Sequence, residues 1–177
     1  MDLIFLLGIL GGLTLVAGAA WPVHAVDHPI KSTKNWLFAA GGLIMLLFSL
    51  LDYHFNGAPI FFVFLQILVN VSSVLMMANS DDRIDTAVIA LAGGGLTVWS
   101  LSLFEDYSTI VFILGLVGIG IGYALENGTL KRNLTLVIGS ILIAVFSYLG
   151  ESWIFFWLNV FFAGFSSYWV IRLLRAR

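Results

Sequence analysis

The chain has 177 residues, of which 60% are hydrophobic and only 10% charged, with a mean hydropathy of +1.04. Soluble domains carry about 25% charged residues, so a soluble enzyme or nucleic-acid-binding domain is excluded and an all-α integral membrane protein is expected. The absence of cysteine excludes disulfides, thiolate nucleophiles and cysteine metal sites, and the net charge of -2 decides nothing until the charges are placed along the chain.

Seven apolar runs follow one another at 3–20, 36–51, 60–78, 84–104, 109–124, 134–149 and 153–173. Each approaches the roughly 20 residues that cross about 30 Å of hydrocarbon. The first run ends in Ala17-Gly18-Ala19-Ala20, as a secretory signal would, but it is preceded by Asp2 and by no Lys or Arg, so a retained helix is predicted. Between runs one and two, Pro29 breaks the chain and Ser32-Thr33 is suited to capping the second helix. Asn56-Gly57 and Pro59 separate runs two and three, Asn79-Ser80-Asp81-Asp82 offers caps for the fourth, and Asn127-Gly128-Thr129 turns the fifth into the sixth.

One crossing per run sorts the charges by side. Lys31, Lys34, Arg83, Lys131, Arg132, Arg172, Arg175 and Arg177, all 8 basic residues, fall on the side of the C-terminus. The positive-inside rule makes that side cytoplasmic and puts the N-terminus outside, in the plasma (inner) membrane of a multi-pass protein. Asp2, Asp52, Glu105, Asp106 and Glu151 then share the outer face. The acceptor patterns at Asn127 and Asn133 would lie in the cytoplasm and are discounted as glycosylation sites.

The chain also repeats. Lys34-Asn35, Gly41, Phe48-Ser49, Ile60-Phe61-Phe62 and Ser72-Ser73 recur as Arg132-Asn133, Gly139, Phe146-Ser147, Ile154-Phe155-Phe156 and Ser166-Ser167, at an offset of 98 residues and then 94. At the front, Ile4-Phe5-Leu6-Leu7-Gly8 and Gly11 align on Val111-Phe112-Ile113-Leu114-Gly115 and Gly118. Two copies of three helices, each an odd number, would be inverted if joined directly, and the unmatched fourth helix restores a common orientation. The predicted fold is seven transmembrane helices as two parallel three-helix repeats, residues 1–79 and 107–177, joined by a linker helix at 80–106.

With this layout the chain resembles the SWEET and PQ-loop superfamily, which includes the bacterial PnuC-type vitamin transporters. The resemblance covers the whole chain and implies that a small polar solute crosses between two helix bundles; it does not carry over a sugar as substrate, and the expected function is transport of a vitamin, nucleoside, sugar or similar solute by facilitated diffusion. SWEETs place an asparagine on the third helix of each bundle, and Asn70 and Asn159 are the residues here that match.

The residues themselves point to the same helices. Gln66, Asn70 and Ser73 stand at i, i+4 and i+7 on one face of the third helix, and Asn159 and Ser166 are seven apart on the seventh. An amide facing lipid would leave donors and acceptors unpaired, so these stripes must face protein or water. As a substrate site they would bind solute, and as interhelical glue they would bond neighbouring helices for roughly 0.6–2 kcal/mol each. Asp52 and His54 near the end of the second helix offer a proton-sensing pair only if they meet, and His24 and His28 offer a metal site only with further ligands. Gly8 with Gly12 and Gly118 with Gly122 have the spacing of close helix packing, and Trp99 and Trp157 are deep enough in their runs to line a cavity. No Ser/His/Asp set, phosphate loop or metal cluster is present, so neither catalysis nor a cofactor is expected. The expected partners are the small polar solute and the bilayer, with no nucleic acid and with a homo-oligomer left open. The rival expectation is a non-transporting membrane subunit or assembly factor that uses the same helices as a scaffold.

Overall fold

The computed structural model describes residues 2–21, 27–78, 81–126 and 128–175. Among these residues the elements are α1 (Leu3–Ala20), a 3-10 turn (Pro29–Lys31), α2 (Thr33–Asn56), α3 (Phe61–Ala78), α4 (Asp82–Ser102), α5 (Tyr107–Ala124), α6 (Leu130–Leu149) and α7 (Trp153–Arg175). All seven α-helices are long and apolar enough to cross a membrane, and the chain is a multi-pass membrane protein. Asn79 and Ser80, read as caps, His24, read as half of a histidine pair, and Asn127 and Arg177 lie outside the described residues.

Local chemistry sets the helix ends. Asp2 accepts from the Ile4 N–H at 3.3 Å to start α1. Asp106 accepts from the Ser108 and Thr109 N–H groups at 2.8 and 3.3 Å to start α5, and the Ser108 hydroxyl donates to the same carboxylate oxygen at 2.6 Å. Thr129 accepts from the Arg132 N–H at 3.3 Å to start α6. These bonds satisfy N–H groups that an isolated helix leaves unpaired. Ser32 does stand at the start of α2, but its side chain makes no capping bond. That corner is held instead by Asn35 Nδ2 donating to the Pro29 carbonyl at 3.0 Å and Trp36 Nε1 to the Ile30 carbonyl at 2.8 Å. Gly57, at φ 71°, ends α2 in the left-handed conformation that glycine adopts without strain, and its N–H donates to the Asp52 carbonyl.

The chain divides into two compact units, Met1–Asp81 and Asp82–Arg177. In the first, α2 packs between α1 and α3. In the second, α6 packs between α5 and α7, while α4 lies against α5, where the Thr86 hydroxyl donates to the Ala124 carbonyl at 3.2 Å. Glycine sets both α1–α2 and α5–α6. A Cβ on Gly41 would stand 2.8 Å from the Leu15 nitrogen and 3.2 Å from the Gly11 oxygen, and one on Gly139 would stand 2.8 Å from the Ile119 nitrogen and 3.0 Å from the Gly115 oxygen. Gly11 in turn faces Met45 as Gly115 faces Ile143, and Gly18 faces Phe38 as Gly122 faces Leu136. Backbones approach this closely only where side chains are missing.

These contacts revise the front of the sequence alignment. Gly11, Leu15 and Gly18 play the parts of Gly115, Ile119 and Gly122, an offset of 104 residues, whereas matching the apolar runs pairs Gly8 with Gly115 and Gly11 with Gly118. Gly12, read from its spacing as a packing residue, has open space where a Cβ would stand.

Candidate functional site

Helix α3 carries the most deeply buried polar side chain of the first unit, Gln66. Its opening turns, from Phe61 to Gln66, are buried on every side. Gln66 is 1% exposed, and its Oε1 has no hydrogen-bond partner among the described residues. A buried carboxamide oxygen left in this state costs about 1–3 kcal/mol, so a partner supplied from outside the chain would be favoured there.

One turn further along, Asn70 is half-buried and its amide nitrogen is fully committed. Nδ2 donates to the Gln66 carbonyl at 2.7 Å within α3 and to the Gly42 carbonyl of α2 at 2.9 Å. Gly42 makes room for this bond, since a Cβ there would stand 3.1 Å from Asn70 Oδ1. The Gly41-Gly42 pair thus serves two neighbours, Gly41 the α1 backbone and Gly42 the Asn70 amide. Ser73 is buried, and its hydroxyl donates to the Val69 carbonyl at 2.8 Å. Gln66, Asn70 and Ser73 are therefore gathered on α3, with Asn70 tied to α2.

In the second unit Asn159 is buried and repeats half of the Asn70 arrangement. Its Nδ2 donates to the carbonyl four residues back, Phe155, at 2.9 Å. Neither Asn70 Oδ1 nor Asn159 Oδ1 accepts a hydrogen bond from a described residue. Ser166 is half-buried on the same helix.

The remaining candidates are used otherwise. Asp52 accepts from Asn56 Nδ2 at 2.8 Å, and His54 sits edge-on to Phe55 at 4.7 Å, so these two do not form a pair. His28 Nδ1 accepts from the Ile30 N–H at 3.3 Å and starts the 3-10 turn. Trp99 and Trp157, read as deep enough to line a cavity, are 53% and 55% exposed and face away from the packed interior of their unit. An apolar groove between α6 and α7, lined by Ala144, Tyr148, Phe156 and Ala163 among others, presents almost no polar surface to a polar solute.

Sequence reasoning missed two residues. Gly42 was hidden because the repeat marks only Gly41, although a second adjacent glycine inside a helix is itself a signal of close approach on another face. Arg132 reads as a topology signal, yet its Nη1 donates to the Leu125 carbonyl at 3.0 Å and caps the end of α5. No family model matches the chain, no curated protein is similar to it and no solved structure matches it.

Proposed function

We propose that this chain is a membrane transporter for a small polar solute, acting by facilitated diffusion and not an enzyme. The observation that carries the reading is Gln66: its carboxamide oxygen is 1% exposed in a membrane-spanning helix and lacks a partner, one turn from the open Oδ1 of Asn70. Polar groups at such depth are costly in hydrocarbon and tend to mark solute pathways. The proposed substrate residues form two stripes, Gln66, Asn70 and Ser73 on α3 of the first unit and Asn159 and Ser166 on α7 of the second. The likeness to the SWEET and PQ-loop superfamily, the reading of the chain as two parallel three-helix repeats with α4 as the crossing between them, and the placement in the plasma (inner) membrane with the N-terminus outside all belong to this proposal. A homo-oligomer is compatible with it.

A second reading, a non-transporting membrane subunit that uses the helices as a scaffold, is favoured by the bond from Asn70 Nδ2 to the Gly42 carbonyl at 2.9 Å, which holds two helices together. The two readings separate on two variants in reconstituted vesicles, screened against vitamins, nucleosides, sugars and amino acids. Asn70→Leu loses the cross-helix bond and is expected to lose about 0.6–2 kcal/mol of stability together with uptake. Asn159→Leu gives up only a bond within α7, so its melting temperature should stay close to the parent's while uptake disappears. Undiminished uptake per folded molecule in both variants would remove these residues from the solute path, and no uptake of any solute by the parent chain would leave the scaffold as the better account.

A further inference from the structure

We infer that the solute is uncharged and is held through its own N–H or O–H groups, on side-chain oxygens of α3, so that anions are refused. The inference rests on the transporter reading and specifies the chemistry of that same site.

It starts from which hydrogen-bonding capacity remains open. The identity of Asn70 Nδ2 is fixed by its surroundings: it meets two carbonyl oxygens, at 2.7 and 2.9 Å, where a third oxygen would be repelled. Both its hydrogens are spent, and what Asn70 has left to offer is the pair of lone pairs on Oδ1. Ser73 has likewise given its only hydrogen to the Val69 carbonyl, which leaves oxygen lone pairs. On Gln66, a side chain more than nine-tenths buried, the fully enclosed unpartnered atom is again an oxygen, Oε1, while Nε2 donates to no described residue. Three side chains along two turns of one helix thus offer acceptors in a row. Gly42 leaves Asn70 Oδ1 uncrowded.

Charge points the same way. The basic residues of the described helices stand at helix ends: Lys34, Arg83, Lys131 and Arg132 in first turns, Arg172 and Arg175 in the last turn of α7. No cation in the interior of a helix is available to neutralise a carboxylate or phosphate, and a buried anion without a partner is strongly disfavoured. A row of oxygens would repel it further. A buried ammonium fares no better, since acidic residues are missing from the middle of the same helices. A neutral solute with several donors fits, because each donor finds an acceptor that is otherwise left unpaired.

The test uses the full chain in vesicles and radiolabelled uptake of matched solutes: erythritol against erythronate, and uracil against orotate and 1,3-dimethyluracil, beside the neutral members of the wider screen. Uptake is expected for donor-bearing neutral solutes, at least tenfold above the carboxylate or methylated counterpart. Gly42→Ala should reduce that uptake about tenfold by crowding Oδ1, and Gly94→Ala, where a Cβ meets nothing within 4 Å, should leave it unchanged. Should Gly42→Ala fail to fold, Gln66→Met, which keeps the bulk and removes the acceptor, is read in the same way. An anion or a methylated solute entering as fast as its donor-bearing partner overturns the acceptor site and leaves transport standing. No uptake of any solute in the screen overturns transport itself, and this inference with it.

Discussion

Gly41 and Gly139 show how much one missing methyl can determine. At each, an added Cβ would stand 2.8 Å from a backbone nitrogen of the neighbouring helix, and a backbone atom within a packed helix pair cannot step aside as a flexible side-chain end can. Gly41→Ala and Gly139→Ala are each expected to cost about 1–3 kcal/mol through overpacking, seen as a lower melting temperature in detergent. Gly12→Ala, with open space around the added methyl, should stay near the parent. The sequence marked α1 and α5 as glycine-rich packing helices but not which glycines pack. Helix α1 is apolar all the way round, so no polar side identifies the face turned to α2, and Gly8 with Gly12 has the same spacing as Gly11 with Leu15. The polar stripe of α3 was legible because amides cannot face lipid. That Asn70 would spend its nitrogen on α2 was not, since one helix's periodicity carries no information about a neighbour's carbonyls.

At the level of the element, hydropathy located every helix and misplaced several ends. The apolar run of the second helix spans 36–51, whereas α2 runs from Thr33 to Asn56. Hydropathy senses hydrocarbon, while helical hydrogen bonding continues through polar residues such as Asn35 and Asp52 until Gly57 stops it. The cap of α5 gives this level its prediction. The Ser108 hydroxyl bonded to Asp106 holds that carboxyl below its ordinary value of 3.8, helped by the Thr109 and Ser108 N–H groups against the opposing effect of burial. A carboxyl with a depressed folded-state pKa stabilises at pH above 3.8, and that contribution is lost as pH falls through the lower folded value. Asp106→Asn keeps an acceptor that does not titrate. Between pH 5 and pH 2 its melting temperature should fall less than that of the parent chain, and parallel curves for the two proteins would show that the cap contributes nothing to acid sensitivity.

At the scale of the whole chain, the distribution of charge is what supports the proposed topology. Seven crossings put all 8 Lys and Arg residues on one side, and adding or removing one crossing would scatter them over both. Charged flanks act during insertion, when short basic loops are retained in the cytoplasm, and the rule depends on Lys and Arg far more than on acids. Unlike the repeat, which is read from apolar and small residues, this sorting uses only charges, and both assign α4 a single crossing of its own. If the N-terminus is outside, as proposed, a reporter that requires the cytoplasm is expected to be active when fused after residue 177 and silent when inserted near residue 55, at the end of α2. A reporter that requires the exterior should behave in the opposite way. The second site discriminates more sharply. Six or eight crossings could still leave the C-terminus in the cytoplasm if the N-terminus moved, but an active cytoplasmic reporter near residue 55 would reverse α2 and α3. That outcome would place Lys31 and Lys34 outside, against the charge rule, and remove the common orientation of the two three-helix sets on which the transporter reading depends.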